Sequence, residues 1–277
     1  MEIVMIINTS VSVGAKTPFR MIHVSDTHFT LADSRDNSDK NRIATKRRHI
    51  FPHSEAVRDT AVRLSGELGC PIIHTGDHYD FLSHPNLEEV HRFVTENDVL
   101  YAAGNHDFSH YLGEETENEE YKLRSYREVQ SLHKNNIRTD SRVICGVNFV
   151  VLDDSYFQFH PDHVKFLLGE AEKGLPMVLL YHKPVACREL LAFAEEKGRV
   201  GCLVCPPESC FDGKDEEWIA ERRPDEVTLE VAELINSLPQ VKCIINGHMH
   251  ENFTCLTDTG VPLILTANDT VRVIEFT

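Results

Sequence analysis

No apolar run in the 277-residue sequence approaches the roughly 20 residues that a membrane-crossing helix needs, so no membrane partner is expected. Residues 1–13 are apolar in places but include Glu2, and they lack both a basic start and a small-residue cleavage pattern. They read as a first strand over residues 2–7, not as a signal segment. Positive charge is scarce: 28 Lys and Arg stand against 44 Asp and Glu, a formal net charge of −16. Such a chain has no general electrostatic hold on a nucleic-acid backbone or an anionic membrane, although bound divalent cations would create a local positive site. The dense basic cluster Arg42, Lys46, Arg47 and Arg48 lies inside the polar stretch 30–53. Such a run ordinarily forms a solvated surface loop; the alternative is a loop that leans over a site and meets a phosphate. A second Cys-x-x-Cys pair is also missing. Cys202 and Cys205 have thiolate spacing, but Pro206-Pro207 distorts the approach to Cys210, which disfavours a structural zinc site. The eight cysteines are mostly isolated in apolar runs, as at Cys70, Cys145, Cys243 and Cys255. They read as buried free thiols of a reducing cytoplasm, which is the expected location. Low-complexity tracts and internal repeats are absent as well, which leaves an ordinary globular composition.

What is present is a regular alternation of short apolar runs with helical stripes. Strands are expected at residues 19–24, 71–74, 99–103, 142–145, 147–152, 176–180, 241–245, 261–265 and 271–276. A helix is expected from Ser54, as its cap, to Gly69, as its stop, with others at 87–95, 115–132, 161–173, 187–197 and 225–238. The alternation argues for the α/β class, and hairpins at 142–152 and near the C-terminus make the sheets mixed.

Five of these strands run into the same few residue types. They are followed by Asp26-Thr27-His28, Gly76-Asp77-His78-Tyr79-Asp80, Gly104-Asn105-His106-Asp107, Tyr181-His182-Lys183-Pro184 and Gly247-His248-Met249-His250. Loops after strands are where open α/β sheets place their ligand crevice. The carbonyl oxygen of an Asn can serve as a neutral metal ligand; His106 can donate a proton, and Asp107 can orient that imidazole. Taken singly, Asp26 as a loop cap, Asp77 or Asn105 as a turn former and His182 as a core histidine are the plainer readings. Jointly those readings require a carboxylate, amide or imidazole after five separate strands by accident. His78 is assigned no role, and Asp80 reads as a partner of a ligand, not a ligand itself.

In this order the motifs DxH, GDxxD, GNHD, a lone His and GHxH resemble those of the calcineurin-like metallophosphoesterase superfamily. The resemblance spans roughly residues 19–276 and five ordered motifs. It implies a four-layer α/β fold, two mixed β-sheets packed as a sandwich with flanking helices, in one domain over residues 1–277. It also implies two divalent ions at one edge of the sandwich. Asp26, His28 and His250 would hold one ion and Asn105, His182 and His248 the other, with Asp77 bridging them. His106 would stand outside the metals as the acid that protonates the leaving oxygen, with Asp107 bonded to its other ring nitrogen. The interval between His182 and His248 is long for compact members, so residues 199–224 are expected to be an insertion that shapes the pocket. One departure falls at Lys183, where many relatives carry a second His; so close to the site, it is a candidate to bias substrate preference.

The chemistry accounts for these residue types. Two divalent ions about 3.5–4 Å apart can bind a phosphoryl group, supply hydroxide at neutral pH and stabilise both attacking and leaving oxygens. Mixed imidazole and carboxylate ligands suit Mn²⁺, Fe or Zn²⁺, with Mn²⁺ expected to be the most active in vitro. The function expected is hydrolysis of a small phosphorylated substrate, monoester or diester, by a metal-activated hydroxide. The alternatives are a nuclease, which the acidic balance disfavours, and a non-catalytic metal-binding scaffold, from which a missing ligand or acid His would be expected.

Overall fold

In the computed structural model, which describes residues 4–110 and 118–277, eleven strands lie in two sheets. They are β1 (Met5–Val11), β2 (Phe19–Val24), β3 (Ile72–His74), β4 (Val99–Tyr101), β5 (Thr139–Ile144), β6 (Val147–Leu152), β7 (Met177–Leu180), β8 (Val241–Asn246), β9 (Phe253–Leu256), β10 (Pro262–Leu265) and β11 (Thr270–Phe276). Successive side chains of a strand point to opposite faces, so a run of apolar residues can serve two cores at once. In β6, Phe149 and Val151 enter the core between the sheets, while Val150 and Leu152 enter an outer core. In β2, Met21 points inward and Ile22 and Val24 outward.

One sheet has the order β1-β11-β2-β3-β4 and the other β5-β6-β7-β8-β10-β9. Both are mixed: β2, β3 and β4 run parallel, as do β6, β7, β8 and β10, while β11 is antiparallel to β2, β5 to β6 and β9 to β10. Helices Ser54–Leu68 and His84–Glu96 cover the outer face of the first sheet. Helices Asp162–Glu172, Arg188–Lys197 and Glu226–Ser237 cover that of the second. The result is the four-layer α/β sandwich expected. Among the described residues, no helix is long and apolar enough to cross a membrane.

Several boundaries differ from the sequence reading for identifiable reasons. The first strand lies at Met5–Val11, beyond the expected 2–7, because it pairs residue for residue with β11 from Met5↔Thr270 to Val11↔Phe276; residues 2 and 3 lie outside the described set. The helix expected at 87–95 begins at His84, since Ser83 caps it by accepting from Asn86 N, and Pro85 suits the first turn, where its missing N–H is unneeded. Ser54 is not a cap: its Oγ donates to His28 O (3.1 Å), tying the helix start to a motif loop. The polar stretch 30–53 holds a helix, Ser38–Arg47. Of the helix expected at 115–132, residues 118–132 are described and form two short helices, Glu119–Leu123 and Tyr126–Leu132; residues 115–117 lie outside. Strand β9 and the helix Glu216–Arg222 were not expected.

Candidate metal centre

The five motifs leave the C-terminal ends of β2, β3, β4, β7 and β8, where the edges of the two sheets meet. Strand ends leave the loops free to turn sharply. Asp26, His28, Asp77, His248 and His250 all have positive φ, between 47° and 65°. They are five of the eight non-glycine residues with positive φ among those described. Asp and His tolerate this region better than most residues, yet each such position stores strain that the surrounding structure must offset. Two glycines make room. A Cβ on Gly104 would overlap Asp77 Oδ1, and one on Gly247 would overlap Ser25 Oγ and Asp26 Oδ2.

Two carboxylates organise the centre, each with one oxygen pinned and the other facing inward. Asp26 Oδ2 accepts from His248 N at 2.9 Å, and Asp77 Oδ1 accepts from His106 N at 2.7 Å. The inward Asp26 Oδ1 lies 3.3 Å from His250 Nε2 and 3.8 Å from His28 Nε2; the two imidazole nitrogens are themselves 3.1 Å apart. The inward Asp77 Oδ2 lies 3.1 Å from His182 Nε2, and that nitrogen is 3.1 Å from His248 Nδ1. Thus Asp26, His28 and His250 form one converging group and Asp77, His182 and His248 another. Asp77 Oδ2 is also 3.8 Å from His28 Nε2, which places it between the groups.

This donor set fits divalent cations. Asp26 Oδ1 is buried and accepts no hydrogen bond, an arrangement that costs free energy unless something positive meets it. Burial opposes ionisation of Asp26 and Asp77, but the surrounding imidazoles, His182 foremost, together outweigh it and hold both below the usual carboxylate range. Burial also lowers His182, yet Asp77 and Asp26 overcome it and raise that imidazole to about 9. A cation bound there would displace this proton. His28 and His248 are lowered by burial, which favours the neutral, ligating form.

The imidazoles of these groups are held from behind. His182 Nδ1 donates to Thr75 O at 2.6 Å, and the backbone N–H groups of His182 and Lys183 both donate to Asp154. His28 Nδ1 lies 3.1 Å from Asp80 Oδ1, its ring stacks on Phe51 at 4.1 Å, and Arg47 pairs with the same Asp80, Nη2 to Oδ1 2.8 Å. The basic cluster is therefore not wholly solvated: Arg47 is engaged from the end of its helix. Asp80→Ala is expected to lower ion affinity at the Asp26, His28 and His250 group by about 10–100-fold, read by metal titration. Unchanged affinity would mean that Phe51 packing alone orients His28.

One expectation is corrected. Asp107 does not orient His106: its carboxylate accepts from Tyr101 Oη (2.8 Å), Gly104 N (2.8 Å) and Asp77 N (3.1 Å). Those donors hold it inside the motif loops, and burial together with the charge of Asp77 pushes it up to about 7. His106 Nδ1 instead lies 2.8 Å from Asp80 O. His106 is 19% exposed, against 0% for His28 and His182, so it faces the opening of the site. It also comes within ligating reach of His28 and Asp77. Asn105 Oδ1 accepts from Lys183 Nζ at 2.8 Å. The sequence reading missed Phe51 and Asp154, neither of which stands in a motif.

No family model and no curated protein sequence matches this chain. Solved structures resemble it by fold. A dimetal phosphatase from Danio rerio aligns over 91% of this chain and 88% of its own, with 14% identity and a TM-score of 0.51. A 5′-nucleotidase from Candida albicans aligns over 91% of this chain at 12% identity and a TM-score of 0.44, and this chain spans 46% of its length. A calcineurin-like phosphoesterase from Bacillus subtilis aligns over 93% of this chain and 84% of its own, at 12% identity and a TM-score of 0.40. With two mixed sheets and helices on both outer faces, this chain shares the fold of that dimetal phosphatase.

Proposed function

We propose that this chain is a metal-dependent phosphoester hydrolase with a dinuclear centre. The observation that carries the reading is the pair of His/Asp groups joined by Asp77, with the buried Asp26 Oδ1, which accepts no hydrogen bond, facing the first of them. Asp26, His28 and His250 hold one ion and Asn105, His182 and His248 the other, and Asp77 bridges. When bound, two divalent ions neutralise a phosphoryl group and make hydroxide available at neutral pH.

The chain itself holds and moves the remaining proton. His106 donates from Nδ1 to Asp80 O, which fixes its tautomer and leaves Nε2 as the atom that gives a proton to the departing oxygen. The Asp80 carboxylate lies 3.4 Å from the same Nδ1 and would pair with the imidazolium that this step needs. Residues 199–224, proposed as an insertion, pack toward the site through Arg222, whose guanidinium lies 4.8 Å over the Phe157 ring. Phe157 in turn is 6.0 Å from the ring of His248.

The direct experiment is hydrolysis of p-nitrophenyl phosphate beside bis-p-nitrophenyl phosphate by protein stripped of metal and then reloaded with Mn²⁺. Metal-dependent turnover is expected, and the ratio of the two rates assigns monoester or diester preference. Silence on both substrates with ions bound would leave either a narrowly selective pocket behind residues 199–224 or the scaffold reading, which turnover on a panel of nucleotides separates. His106→Gln is expected to slow turnover by about 10²–10⁴-fold, most for poor leaving groups, with metal content unchanged. Loss of an ion from that variant would make His106 a ligand and remove it as the acid.

A further inference from the structure

Lys183 is an unusual residue to find against a cation site. Its side chain is among the largest fully buried in the molecule, at 1% exposure. Nζ lies 2.8 Å from Asn105 Oδ1 and 3.1 and 3.4 Å from His248 Nε2 and Nδ1. It also sits 4.0 Å from the centroid of Phe157, a position that favours a cation over the ring face. Phe157 has φ +66°, a conformation that bulky residues rarely adopt. The backbone on both sides is anchored, since Asp154 takes the N–H groups of His182 and Lys183 and Pro184 follows. The placement is therefore built by several independent contacts.

The two ion positions differ accordingly. At Asp26, His28 and His250 the inward oxygen is a carboxylate without a hydrogen bond. At Asn105, His182 and His248 the neutral amide oxygen already accepts a hydrogen bond from Nζ, beside a ligand imidazole. We propose that the Lys183 ammonium competes with the divalent ion at the Asn105, His182 and His248 position, so that the centre takes up its two ions unequally, one tightly and one weakly. A dication reaching Asn105 Oδ1 must break that hydrogen bond and lie beside a like charge in a buried, poorly screened setting. This inference rests on the two-ion reading above and adds which ion is weak and why.

The test is calorimetric titration of the metal-stripped full chain with Mn²⁺, with ion content after dialysis read by elemental mass spectrometry. The wild-type chain is expected to keep one Mn²⁺ under conditions where Lys183→Met keeps two, with the second ion bound about tenfold more tightly or better in the variant. Lys183→Arg, which retains the charge, is expected to keep one. Circular dichroism and melting establish that the variants are folded. If they are not, the wild-type stoichiometry alone still decides, because two ions of equal affinity would overturn the inference while leaving the two-ion reading intact. An unchanged second-ion affinity in folded Lys183→Met would overturn it equally. A wild-type chain that binds no ion would overturn both readings together.

Discussion

Asp77→Ala is expected to lose metal and turnover together. Asp77 reaches both groups, with Oδ2 at 3.1 Å from His182 Nε2 and 3.8 Å from His28 Nε2, while Oδ1 fixes the backbone of His106. Removing a partner that merely orients a ligand costs about 10–100-fold in ion affinity, and removing a shared ligand must exceed that. The variant also releases His106 from its N–H bond, so the proposed acid is misplaced at the same time. Ion content after dialysis and Mn²⁺-dependent hydrolysis of p-nitrophenyl phosphate give the two readouts. A variant that kept both ions and full turnover would show that Asp77 does not bridge. Asp77→Asn retains the shape without the charge, and its His182 imidazole is expected to fall from about 9, since Asp77 is the largest influence raising it.

The second large effect is on stability. Lys122 is 3% exposed, with Nζ at 3.0 Å from the buried Asp153 Oδ2 and 2.7 Å from Glu119 Oε2. Lys122→Met leaves the Asp153 charge buried with only the N–H and Oγ of Ser155 for company, and is expected to destabilise the chain by about 3–5 kcal/mol in denaturant unfolding. The pH dependence carries its own sign. Burial raises the Asp153 carboxyl, but Lys122 overcomes this and holds it below its ordinary value in the folded chain. In the wild type this group adds stability above its unfolded value of about 3.9, and that contribution is lost as pH falls through the lower folded value. In Lys122→Met only the two Ser155 hydrogen bonds still oppose burial, the largest influence on the group, so the folded value is expected to lie above the unfolded one. The variant's penalty is then largest near pH 7 and shrinks as pH falls toward about 4. A penalty under about 1 kcal/mol, or one that does not change with pH, would show that water reaches Asp153. The consequence for function is local: Asp153 precedes Asp154, whose carboxylate positions His182 and Lys183.

The outer layers show how local patterning and tertiary pairing divide the work. Helix Ser54–Leu68 ends at Gly69 with φ +60°, and helix Glu226–Ser237 starts at an Asp225 that accepts from Thr228 N; both signals are contained in a few adjacent residues. The start of β1 had no such signal, because Met5–Val11 includes Asn8, Thr9 and Ser10 and becomes a strand by pairing with β11 at the other end of the chain. Strand β9 at the sheet edge is similarly recruited by β10.

The same division runs through the centre. Which residues gather there was legible in order along the chain, since each motif terminates a short apolar strand and parallel strands in one sheet deliver their C-terminal ends to one edge. How the residues engage was decided by contacts between distant segments. That His106 bonds to Asp80 O and not to the neighbouring Asp107 has no local signal, because every residue carries a backbone carbonyl and only the fold selects one. Asp107 turns away because Tyr101, Gly104 N and Asp77 N offer it donors inside the loops. Phe51 on His28, Arg47 on Asp80 and Lys183 on Asn105 likewise join loops that are far apart in sequence. Composition, strand pattern and motif order belong to the sequence because periodicity and chain punctuation are short-range. Orientation, proton partners and the Lys183 contact with Asn105 belong to the tertiary structure, because burial and the pairing of buried polar atoms exist only once the two sheets have closed on each other.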